Sequence, residues 1–233
     1  MQRRYHVQHP ILSMVKRVCR SYGVRFVMAR SVGTSMGTFS ESERTLTIYT
    51  KWQRTRGRRR GKPRVQVSRR HDILMTAIHE MTHMLQWKRK DPNWHMRTPD
   101  GRKRLDDIIF DYLLGENECT DASLLFKSAM ALSRLEFEAE IMSLRIMDLF
   151  GERYPRSRVI RSAKAYSYSY LVFARTGIMA DKKLWAHWGR HLSNSWSYDL
   201  DDALLSRMCD IARSHRDLSY VVWEDGVCTK STW

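Results

Sequence analysis

Apolar positions recur at helical spacing from early in the chain. In PILSMVKRVCRSY, residues 10–22, Ile11, Leu12, Val15, Val18 and Cys19 fall on one stripe and Gly23 supplies a stop, which predicts an amphipathic helix. The pattern then changes. VRFVMA (24–29) and RTLTIYT (44–50) have the β-branched and aromatic content of strands, and the glycines of SVGTSMGTFSESE between them suit a turn or loop, so a small sheet is expected near the N-terminus. Helical spacing resumes from about Arg69 to Lys90, with Ser68 as a cap and Asp91-Pro92 as the stop. RLDDIIFDYLLG predicts a further helix closed by Gly115. The longest periodic segment runs from Thr120 or Asp121 to Phe150, carried by Leu124, Leu125, Ala131, Leu132, Leu135, Ala139, Met142, Ile146 and Leu149, with Gly151 beyond. Pro155 separates it from a helix over 157–175. Shorter helical patterns follow at 182–191 and 200–214, and the tail LSYVVWEDGVCTKSTW predicts a hairpin around Asp225-Gly226. With no internal repeat and no dividing linker, a single domain over residues 1–233 is expected.

The chain has 233 residues, 42% of them hydrophobic, enough for a sizeable core without covalent staples. The element pattern therefore reads as a mainly helical α+β fold. Four cysteines, Cys19, Cys119, Cys209 and Cys228, stand far apart with no C-x-x-C pair, and are expected to be reduced, buried thiols. No stretch approaches the roughly 18 apolar residues of a membrane span, and the N-terminus lacks an apolar signal core. A soluble, cytoplasmic protein with no membrane partner is the expectation.

Charge adds a second theme. The formal net charge is +16, a field that attracts nucleic acid or acidic protein surfaces without choosing between them. It concentrates in KWQRTRGRRRGKPRVQVSRR (51–70), which holds ten Lys or Arg and no acid, and whose Gly57, Gly61 and Pro63 predict a basic loop with Val65 and Val67 in a short edge strand. Arg58, Arg59 and Arg60 at its centre are candidates for contacts to nonspecific nucleic acid or to an acidic partner, since guanidinium forks match phosphate oxygens. No base-reading motif accompanies them.

Catalytic chemistry points to TAIHEMTHML, residues 76–85. Residues four apart share a helix face, so the imidazoles of His79 and His83 can converge on one divalent ion with Glu80 beside them. In H-E-x-x-H proteases that glutamate is the base that takes a proton from zinc-bound water. The plainer reading is a pair of satisfied core histidines. A zinc held by two histidines needs a third protein ligand and an open position. The longer pattern H-E-x-x-H-x-x-G-x-x-H fails at Gln86 and Arg89, which leaves His95 and the acidic cluster RLEFEAEIM, where Glu136 and Glu140 share a face.

HEMTHMLQ (79–86) together with LEFEAE (135–140) resembles the gluzincin zinc metallopeptidases, and the second word looks like the E-x-x-A-D and E-x-E-A-N motifs of CAAX-prenyl endopeptidases and ImmA-type proteases. The resemblance covers about a fifth of the chain. It implies a zincin-like fold, a small sheet beside the active-site helix and a helical C-terminal half. It also implies Zn2+ held by His79, His83 and Glu136, Glu80 as general base, Glu140 as the acid that orients a histidine, and a protein or peptide substrate. Glu140 departs from the Asp or Asn usual there by a methylene. HEMTHMLQWKRKDPNWH looks more loosely like the SprT-type DNA-associated proteases, in which His95 would be the third ligand, although Met96 stands where a glycine is usual. AKAYSYSYLVF offers Tyr166, Tyr168 and Tyr170, and LWAHWGRH offers His187 and His191, as donors to a developing oxyanion, with no means of choosing among them. The expectation from another class is a basic nucleic-acid-associated or phage virion protein whose zinc site is structural or inactive.

Overall fold

The computed structural model of the chain describes residues 9–30, 36–54, 64–67, 70–114, 121–180, 182–215, 219–224 and 227–230, without the side chains of 51–54, 64–67, 114, 182, 219–224 and 227–230. Ser68, Gly115, Cys119, Asp225-Gly226 and the Arg58–Arg60 run lie outside the described residues, as does the side chain of Cys228. The fold is α+β and mainly helical, with a small three-stranded sheet on the N-terminal side. Contacts divide it into two compact units, residues 1–89 with 142–153, and residues 90–141 with 154–233.

The first unit opens with α1 (Pro10–Ser21). Pro10 has the pre-set φ of a first helical residue, and His9 caps it, Nδ1 accepting from the Ile11 N–H at 3.2 Å while Nε2 lies 2.9 Å from Glu152 Oε1. Because Nδ1 accepts, the ring proton sits on Nε2 and is donated to Glu152. The expected strands form as β1 (Arg25–Ala29) and β3 (Thr45–Tyr49), paired in parallel. Where a turn or loop was expected, the chain adds β2 (Gly37–Ser40), antiparallel to β3, giving the order β1-β3-β2. Its single large apolar residue, Phe39, gives no alternation to read, and the pairing comes from its neighbour. The basic segment is likewise more regular than a loop: β4 (Lys51–Arg54) and β5 (Arg64–Val67) pair antiparallel. Helix α2 (Arg70–Lys88) packs on α1, β2 and β3. Leu46, Ile48, Leu74, Ala77, Ile78 and Met84 are fully buried in this unit.

The second unit contains α3 (Pro92–His95), α4 (Leu105–Leu114), most of α5 (Ala122–Leu149), α6 (Arg156–Thr176), α7 (Lys182–Trp188) and α8 (Asp202–Ser214). Helices α4 to α8 match their periodic segments to within a few residues, whereas the one-turn α3 forms just past Asp91-Pro92, where the sequence predicts only a stop: Asp91 caps it by accepting from the Asn93 N–H, and Pro92 takes the first helical position. Gly177, at φ 68°, ends α6 in the left-handed conformation that a side chain resists. The next three residues form β6 (Ile178–Ala180), too short for a sequence signal, which pairs with β7 (Ser219–Glu224), itself paired with β8 (Val227–Lys230) as the tail pattern predicts. Tyr168, Leu171, Val172, Phe173, Leu184, Trp188 and Met208 form the centre of its core. Cys19 and Cys209 are free, buried thiols, and burial pushes Cys19 up to about 11. Among the described residues no helix is long and apolar enough to cross a membrane.

One buried charge holds the loop after α7 to α6. Lys164 is fully buried, and its Nζ donates to Asp199 Oδ1 at 2.6 Å, Ser193 Oγ at 2.7 Å and Ser195 Oγ at 3.1 Å. Tyr168 Oη adds a 3.1 Å bond to the same carboxylate oxygen. Burial raises the Asp199 pKa, but bonds from Lys164 and the serines outweigh it and bring it down to about 2. An aspartate with its folded value below the unfolded one, near 3.9, stabilises the fold above that unfolded value and loses the contribution as pH falls towards the folded value. Urea denaturation should therefore show wild-type stability falling between about pH 4 and pH 2 through this group. Lys164→Met should be destabilised by roughly 3 kcal/mol at neutral pH and lack that part of the acid-dependent loss.

Candidate metal centre

Helix α2 carries more polar side chains inward than an ordinary core helix. Glu80, Thr82, His83 and Gln86 are all buried. Two are satisfied locally by the helix itself or its own residues: Thr82 Oγ1 donates to the Ile78 carbonyl at 3.0 Å, and Gln86 Oε1 lies 2.8 Å from His83 Nδ1. An amide oxygen can only accept, so His83 carries its ring proton on Nδ1 and presents Nε2 as a lone pair. That lone pair faces His79 Nε2 at 3.0 Å, the two rings set edge to face at 84°.

The last turns of α5 lie against α2, with Ser143 Oγ donating to the Met75 carbonyl at 3.4 Å. Glu136 stands two turns earlier on the same uninterrupted helix, at a spacing of seven residues that returns to nearly the same face. His79, His83 and Glu136 each offer a ligand atom, all within 4.8 Å of one another, and form a group that could hold a metal ion. The two imidazole nitrogens, 3.0 Å apart, and a carboxylate oxygen within 4.8 Å of them are the donor types that a divalent ion takes from protein. Two imidazoles and a carboxylate suit zinc among other divalent transition metals. The residues fit the ion.

The other sequence candidates fall elsewhere. His95 ends α3 half-buried and is not a member of the group. His187 packs its ring on His215 with centroids 4.5 Å apart, and His191 Nδ1 lies 3.4 Å from Arg207 Nη1. The tyrosines separate by helix face. Tyr168 turns to Asp199, whereas Tyr166 and Tyr170, one turn apart, share the environment of Glu136 and Glu140. Tyr170 Oη donates to Tyr166 Oη at 2.9 Å, and burial first, then the Glu136 charge, pushes both phenols up, so that both stay O–H donors at neutral pH. Glu140 is half-buried on the same face of α5 as Glu136 and acts on this pair of phenols. An orienting contact on His83 comes from Gln86, which stands where the longer histidine motif has a glycine. Its signal was the i, i+3 spacing from His83.

No protein-family model, curated protein or solved structure matches the chain.

Because Gln86 fixes the tautomer and rotation of His83, Gln86→Leu should keep the fold and weaken metal binding by about 10–100-fold. Competition titration with a chromophoric chelator measures this directly.

Proposed function

We propose that the protein is a zinc-dependent metallopeptidase of gluzincin type. The observation that supports this best is the approach of His79, His83 and Glu136 to within 4.8 Å, with Glu80 buried one residue after the first ligand. Zinc at that position would supply a Lewis acid that acidifies water and polarises a carbonyl. Glu80 is then the base. It takes the proton given up by the attacking water as the new C–O bond forms, and hands it to the amine nitrogen as the C–N bond breaks. His79, His83 and Glu136 would hold the ion, and Gln86 holds His83. Tyr166, which accepts from Tyr170 and keeps its own hydroxyl proton to donate, is the tyrosine assigned to stabilise the negative charge developing on the carbonyl oxygen. An extended peptide suits the substrate role, because β2 is an edge strand among the described residues and runs along α2 beside Glu80.

The contrary reading rests on the net charge of +16: a nucleic-acid-associated or virion component using Arg58, Arg59 and Arg60, with a structural or inactive metal site.

Glu80→Gln should retain about one zinc per chain by elemental analysis and lose peptide cleavage by a factor of at least about 100. Full activity in that variant rules out Glu80 as the base. If no peptide library is cleaved and binding to nucleic acid weakens steeply with salt and on neutralising Arg58–Arg60, the contrary reading replaces the hydrolase.

A further inference from the structure

Gly37, the first residue of β2, is a glycine for reasons of space. It is not among the glycines with positive φ, which in the described residues are Gly23, Gly101, Gly151 and Gly177. A carbon added to its Cα would sit 2.6 Å from Thr76 Cγ2, 2.9 Å from Glu80 Cγ and 3.2 Å from Glu80 Oε1. Carbon atoms in contact stand about 3.5–4.0 Å apart, so a side chain requires β2, or the side chains of Thr76 and Glu80, to move by roughly 1 Å, and Thr76 is held by its hydroxyl, which donates to the Asp72 carbonyl at 2.8 Å. The strand is not free to withdraw. Gly37 pairs with Ile48 of β3, the Tyr49 N–H donates to the Met36 carbonyl at 2.9 Å, and two residues on Phe39 packs against Trp87 of α2 with ring centroids 5.5 Å apart. Glu80 is only 9% exposed, and the bare backbone at Gly37 is a wall of its pocket.

We propose that Gly37 is a positioning residue for the reaction: its missing side chain lets the backbone of β2 close directly on Glu80 and set the rotamer in which the carboxylate reaches water beside the metal ligands. This rests on the reading of Glu80 as the base. Thr76, one turn before Glu80, is the second side of the same contact.

The test uses the full chain loaded with zinc. Gly37→Ala should keep about one zinc per chain and lower kcat by about 10–100-fold while KM changes little, since a misplacement of 1 Å is enough for such a loss. Thr76→Ser removes the atom of the shortest contact, so Gly37→Ala/Thr76→Ser should regain part of the lost kcat, which a general loss of stability would not produce. Wild-type kcat in Gly37→Ala while Glu80→Gln is inactive overturns the proposal and leaves the hydrolase reading standing. Activity retained in Glu80→Gln overturns Glu80 as the base and the proposal with it, whereas a zinc-loaded wild type that cleaves no peptide overturns the hydrolase reading itself. A measurement needing no change at Gly37 decides the contact even if Gly37→Ala fails to fold: in the metal-free protein the Gly37 amide resonance should move on Glu80→Gln and move further on Glu80→Ala. An amide signal indifferent to both substitutions overturns the contact and with it the proposal.

Discussion

The burial of polar groups along one side of α2 is the constraint on which the rest of the site depends. A carboxylate, an imidazole and an amide lie within two turns, all below one-tenth exposed, and each would cost several kcal/mol if buried without compensation. Part of the compensation is internal, as in the pairing of Gln86 with His83. The convergence of His79, His83 and Glu136 adds to it by gathering imidazole nitrogens and a carboxylate where a divalent cation would neutralise them. Core helices without such a purpose rarely carry this load. That is why the arrangement argues for metal chemistry more strongly than the five-residue motif does by itself.

Steric closeness is the second theme. A strand's backbone can close on a helix side chain where the strand has no side chain of its own, and β2 meets Thr76 and Glu80 of α2 in this way at Gly37. The flanking contact of Phe39 with Trp87 fixes the approach from the other end. Backbone and carboxylate are therefore brought together by packing of unreactive groups, and the Glu80 side chain takes its position from the core of the first unit.

Much of this was legible in the sequence, for reasons that differ between elements. Helices α2, α5, α6 and α8 carry enough turns for period 3.6 to dominate, so their existence and approximate limits could be read directly. Strands β2 and β6 could not, because four- and three-residue segments owe their conformation to the neighbour they pair with. The two histidines were legible from spacing because one helix carries both. Glu136 lies more than fifty residues away, so periodicity could nominate it as one of several acids, and only tertiary packing of α5 distinguishes it from His95. The same holds for the tyrosines: helical spacing separates Tyr166 and Tyr170 from Tyr168, but does not say which face meets the glutamates. Gln86 and Gly37 belong to no motif, and their roles become visible only through the distances around them.

The amine of Lys164 has a consequence beyond stability. A primary amine with no solvent-accessible surface and three acceptors around its hydrogens is shielded from acylating reagents that modify exposed lysines such as Lys127 or Lys183. Its labelling rate would follow the opening of the α6 environment, making this single side chain a built-in chemical reporter of when the second unit loosens.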